Sequence, residues 1–169
     1  MKNIFIVLLI MPCVVFSQLI KSNATDSITH QKRIITISAT ISNNFFRGQP
    51  KIESAHYHTI NNKVYITLSG NGYSGAGTVM PEDVALLITE KDTIIIQSVG
   101  LQASYGKYEA DTFNNEYVLT KDDVNKLAAS KLIAIKRYTN IGVFETFLKE
   151  KFQTNLMQIS AALLKEMNK

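Results

Sequence analysis

One cysteine, three prolines and no tryptophan occur in this 169-residue chain. Each scarcity excludes something. The cysteine, Cys13, lies in an N-terminal apolar stretch that reads as a removable signal, so the mature chain is expected to carry none. Disulfides, thiolate catalysis and cysteine-based metal sites then fall away. Strong charge is lacking too: 19% of residues are charged, with a net charge of +4 that becomes +3 once Lys2 is removed. No basic run is dense enough for a nucleic-acid footprint. The N-terminal apolar run is interrupted by Pro12 and falls short of the roughly 20 residues of a membrane span. No nucleophile elbow, HExxH, P-loop or EF-hand pattern is present, and no residue is expected to act catalytically. No cofactor is called for either.

An apolar content of 46% points to a folded domain, not a disordered chain, and the length suits one domain. Residues 1–17 have a short basic start, an apolar centre and a small residue, Ser17, before Gln18, as a secretory signal requires. The expected product is an exported bacterial protein, periplasmic or secreted, with no stable membrane span after cleavage. Lipidation at Cys13 is a weaker alternative, since Met11 and Pro12 precede it where small residues are needed. Residues 18–32 are polar and without period and read as a flexible leader. Residues 33–169 then form a single α+β domain.

The predicted architecture is a mainly antiparallel sheet of six to eight strands, a short helix and a long C-terminal amphipathic helix packed on one face. Residues 33–41 alternate as a strand, with Ile35, Ile37, Ala39 and Ile41 on one face. Residues 54–60 and 63–69 form a hairpin about Asn61-Asn62, a pair suited to the positive φ of a type I′ turn. Residues 84–89 and 93–98 form a second hairpin. Its continuous apolar arms suggest burial on both faces, and a helix beginning at Pro81 is the alternative for the first arm. From residue 120 the signals are densest. Thr120 and Asp123 are spaced for a capping box, residues 131–138 and 143–148 for a hairpin, and 149–167 for a helix. That helix carries Phe152, Leu156, Ile159, Leu163 and Met167 on one stripe.

Few residues suggest chemistry. His56 and His58 are two apart on a strand, so both imidazoles point to one side and could contribute two ligands to zinc or copper. A site would need a third ligand, for which Glu53, His30 or an acidic loop residue such as Asp111 are the candidates. Gly70 to Gly75 spells G-x-G-x-x-G, but no helix follows to hold a pyrophosphate, and a flexible 70–77 loop is the expectation. Asp122-Asp123 and Glu82-Asp83 suit helix starts better than a cleft. Residues 100–115 lack a period and read as a loop, carrying Tyr105, Tyr108 and Phe113, with Tyr73 on the glycine-rich loop. Tyrosines on loops offer large contact area and a polar tip at low entropic cost, which makes these four the expected ligand-binding residues. The leading expectation is a non-enzymatic exported binding module whose partner is a protein, peptide or glycan. The alternatives are a small metal-dependent enzyme or hydrolase using His56 and His58, and a structural subunit of an envelope assembly.

Overall fold

The computed structural model describes residues 18–42, 51–72, 79–100, 111–140 and 142–169. The fold is α+β. A single antiparallel sheet is built from β1 (Ile20–Thr25), β2 (Lys32–Thr36), β3 (Ala39–Thr40), β4 (Lys51–Ile60), β5 (Lys63–Gly72), β6 (Val84–Thr89), β7 (Thr93–Ser98), β8 (Asp111–Leu119), β9 (Leu132–Thr139) and β10 (Gly142–Phe147). Among the described residues there are also two α-helices, α1 (Lys121–Ala129) and α2 (Asn155–Met167), with a 3₁₀ turn at Glu150–Phe152. The strand order is β1-β2-β4-β5-β8-β7-β6-β9-β10, and β3 pairs beside β4. No helix among the described residues is long and apolar enough to cross a membrane.

The β4–β5 hairpin follows its expected pattern. Asn61 and Asn62 take φ of 52° and 63°, the left-handed region that asparagine tolerates. Ala55, Tyr57, Val64, Ile66 and Leu68 point into the core. β5 runs on to Gly72, so the first half of the glycine-rich motif lies in a strand, where it cannot begin a helix.

Four expectations need correction. The stretch 18–32, read as a flexible leader, contains β1, which pairs with β2 through five Cα partners. Its side chains are mostly exposed, so an edge strand held by backbone bonds left no hydrophobic period to read. Residues 33–41 are not one strand. A break at Ile37-Ser38 separates β2 from β3 and shifts the inward phase by one residue. Ile34 and Thr36 are buried before the break, Ala39 and Ile41 after it, and Ile37 faces outward. A one-residue slip exchanges the faces of a strand. The apolar arms of β6 and β7 are not covered on both sides, since inward Ile94 and Ile96 flank Ile95, which is 66% exposed. Finally, β8 begins at Asp111, reaching far into the stretch read as loop.

The C-terminal third follows its signals except at the start of the last helix: the helix read over 149–167 begins only at Asn155, and Phe152 lies in the 3₁₀ turn before it. Thr120 Oγ1 accepts the Asp123 backbone N–H at 3.1 Å, and the Asp123 carboxylate accepts the Thr120 N–H at 2.9 Å, closing the capping box that starts α1. Of the other acidic pair, Asp83 accepts the Met80 N–H in a turn, with no helix there. Along α2, Leu156, Ile159, Ser160 and Leu163 are buried. Tyr57 Oη lies 2.7 Å from Ser160 Oγ, and Ser160 in turn donates to the Leu156 carbonyl at 2.7 Å. The serine proton is thereby used, so Tyr57 is the donor in a buried relay from β4 to the helix.

The sheet is strongly curved. The Ile52 N–H at the start of β4 donates to Thr146 Oγ1 on β10 at 3.2 Å, although five strands separate the two in the order. The inner face of the sheet wraps around the buried core.

Candidate functional site

On the outer side of the sheet, β4, β5 and β8 lie next to one another. Their register sets His58 opposite Tyr65, and His56 opposite Thr67, which is itself opposite Glu116. His58 Nε2 donates to Glu116 Oε1 at 3.0 Å, and its ring stacks on Tyr65 with centroids 5.0 Å apart. Both histidines therefore share a face, as their spacing requires. The Glu116 carboxylate engages His58 Nε2, one of the two ring nitrogens through which an imidazole can hold a metal. No group of three or more His, Cys, Asp or Glu side chains suited to a metal ion occurs among the described residues.

Burial dominates the protonation of this pair. It lowers the pKa of His58, against the pull of Glu116 and with some help from Arg33. It also lowers that of His56, where the neighbouring His58 and Lys21 add to the effect. Folded-state values below the unfolded ones mean that the unfolded chain binds protons more readily. Stability from these groups is present above pH about 6.5 and is lost as pH falls below it. The imidazole resonances of both residues are expected to titrate below 6.5 by NMR, and His58→Gln should flatten the loss of stability between pH 7 and pH 5. A His58 midpoint above 6.5 would show that Glu116 outweighs burial.

Inside the sheet lies a second cluster, which the sequence did not announce. Arg137 of β9 is 1% exposed. It reaches β8, where Nη1 donates to Asn115 Oδ1. Its guanidinium carbon sits 3.8 Å from the centre of the Phe113 ring and 5.5 Å from that of Phe144, distances at which a cation is attracted to the π faces. Burial draws its pKa down to about 10, and a guanidinium with that value still holds its proton near neutral pH. Phe113, Asn115 and Tyr117 alternate inward along β8. Tyr117 Oη is buried without a hydrogen-bond partner among the described residues. Burial raises its pKa well beyond the usual phenol value; among nearby charges Arg137 acts on it more strongly than Asp83, in the opposite sense.

Phe113, one of the four aromatic candidates, thus sits beneath Arg137 in the core. Tyr73, Tyr105 and Tyr108 lie outside the described residues. The strand ends from which their segments depart are adjacent, for Gly72 pairs with Asp111 and Gly70 with Phe113. These ends of β5 and β8 lie close to Phe113, over which the Arg137 guanidinium sits.

No known relative is found. Comparison with protein-family models, curated proteins and solved structures gives no match. The reading of function rests on the geometry.

Proposed function

We propose that the protein is an exported, non-enzymatic binding module that meets its partner at the end of the sheet where β5 stops and β8 starts. The observation that carries this reading is the Gly72–Asp111 pairing. It sets side by side the strand ends that flank the tyrosine-bearing stretches 73–78 and 101–110 in the sequence, and Phe113, beneath the Arg137 guanidinium, is two residues from Asp111. Binding residues concentrate on connections held by a rigid scaffold. In this reading α2 covers one face of the sheet through Leu156, Ile159 and Leu163, leaving the opposite ends of the strands for recognition. Export by the N-terminal segment would deliver the module to the periplasm or beyond, where a protein, peptide or glycan of the envelope is its partner.

Hydrogen–deuterium exchange tests the placement. A solubilised envelope fraction added to the protein is expected to slow exchange in peptides spanning residues 69–77 and 100–115 while leaving α2 unchanged. Protection confined to other peptides, or none at all, would overturn the reading.

A further inference from the structure

The outer face of the β9–β10 hairpin carries large apolar side chains in water. Its register pairs Tyr138 with Val143, Lys136 with Glu145 and Ala134 with Phe147. Phe144 lies beneath the Arg137 guanidinium, and Thr146 accepts the Ile52 N–H, so both point inward. Alternation along β10 then turns Val143, Glu145 and Phe147 outward. Val143 is 55% exposed and Phe147 69%. Between them, Lys136 Nζ lies 3.1 Å from the Glu145 carboxylate. On β9, Ala134 is buried yet stands apart from the main core, as a residue on the outer side does. Exposed apolar side chains on the last strand of a sheet invite association, and natural edges are usually charged or covered against it. The backbone edge of β10 is met by β4 at Thr146, which leaves the outer face as the surface for association.

We infer that this face pairs with the same face of a second copy of the chain, about a two-fold axis running along the hairpin midway between β9 and β10. Such an axis lays β9 of one copy over β10 of the other. Lys136 then meets the partner's Glu145, and Glu145 meets the partner's Lys136, the reciprocity of an isologous contact. Tyr138 meets the partner's Val143. The two Phe147 side chains come side by side at about the 4.8 Å spacing of strands, a distance suited to a ring pair. Packed sheets keep their strands nearly aligned, which this axis also provides. The charges select the occupant. Under an apolar partner or a lipid surface, the Lys136–Glu145 pair would lose water and gain nothing in return. Under a second copy it becomes a square of four alternating charges. Two strands over two cover less than the roughly 1,200 Å² of total burial seen in stable complexes, so the pair is weak and depends on concentration. The pairing does not depend on the partner proposed above.

Sedimentation velocity of the full chain from about 1 μM to about 1 mM is expected to show a monomer–dimer equilibrium. Phe147→Asp should weaken association about tenfold or more, the scale of losing an aromatic anchor. Glu145→Lys and Lys136→Glu should each be monomeric alone, since each gathers four like charges at the axis. Mixed in equal amounts, the two variants should dimerise, because every charge then meets its opposite in the other copy. A pair that only braced the hairpin within one chain would not be rescued by mixing. An equal mixture of ¹³C-labelled and unlabelled wild type should show Overhauser effects between copies at Phe147 and Val143, a readout that needs no variant. A wild-type chain that stays monomeric throughout, or a dimer indifferent to Phe147→Asp and to mixing of the charge variants, would overturn the pairing and leave this face to another protein or to a lipid surface.

Discussion

Leu156→Asp is expected to abolish the cooperative thermal transition. Leu156 is fully buried in the second position of α2 and belongs to the same core as Tyr57, Ile66 and Leu127. Losing its side-chain burial removes about 1.5–3 kcal/mol. The incompletely filled space adds to that, since Leu→Ala at core sites costs roughly 2–5 kcal/mol in all. The carboxylate must then either stay charged out of water or take up a proton, and each route costs further stability. An aspartate in the first turn of a helix gains only about 0.3–1 kcal/mol from the helix dipole, too little to matter here. The total reaches the lower range of a domain's whole stability, about 5–15 kcal/mol. The backbone relay suffers as well, because the Leu156 carbonyl accepts the Ser160 proton that orders the bond from Tyr57. Circular dichroism during heating provides the check, with Gln158→Asp, exposed on the same helix, expected to melt within a few degrees of wild type. A wild-type melting temperature for Leu156→Asp would show that α2 does not complete the core.

The contrast between α2 and the inner cluster explains how much could be read beforehand. Helix α2 announces itself because one stripe of a 3.6-residue period faces the core, and every residue on that stripe but Ser160 is apolar. Asn61-Asn62 and Thr120-x-x-Asp123 were legible for the same local reason, since each motif satisfies its own backbone. The strand phases were less so. β2 carries isoleucine on both faces, at Ile34 and Ile35, so alternation alone did not show the break at Ile37-Ser38. On β8, Phe113, Asn115, Tyr117 and Leu119 do alternate, but the polar Asn115 in the series hid the period. Arg137 was the hardest. Counting by two from Ile135 points it inward, while counting from Leu132 points Lys136 inward instead. The irregularity between Ile88 and Thr89, where β6 pairs with β9, sets the choice, and it depends on a strand more than forty residues away. His56 and His58 were placed on one face correctly; Glu116, which partners His58, came from β8, two strands over, with no local signal linking them.

The second large effect is expected in alkali. Tyr57 and Tyr117 are both fully buried, and burial raises both pKa values above the ordinary phenol value of 10.0. The bond from Tyr57 to Ser160 pulls the other way and does not cancel the effect. For each residue the folded state holds its proton more tightly than the unfolded chain. Their contribution is therefore intact below pH 10 and is lost as pH rises above it, at about 1.4 kcal/mol per pH unit for each tyrosine. Two together give a slope of about 3 kcal/mol per unit, enough to consume a domain's stability of about 5–15 kcal/mol within about two to five units. Arg137 acts oppositely: burial lowers its pKa to about 10, so deprotonation in the folded state alone would offset one tyrosine. Urea midpoints measured from pH 8 to 11.5, together with absorbance at 295 nm, resolve these contributions. Part of the tyrosinate absorbance is expected to appear only with unfolding. Tyr57→Phe should be less stable at pH 8 by about 1–2 kcal/mol for the lost bond to Ser160, yet should lose stability less steeply above pH 10. A smooth tyrosinate titration centred near pH 10, with the far-ultraviolet dichroism unchanged throughout, would mean that neither phenol is held as deeply in the core as β4 and β8 place it.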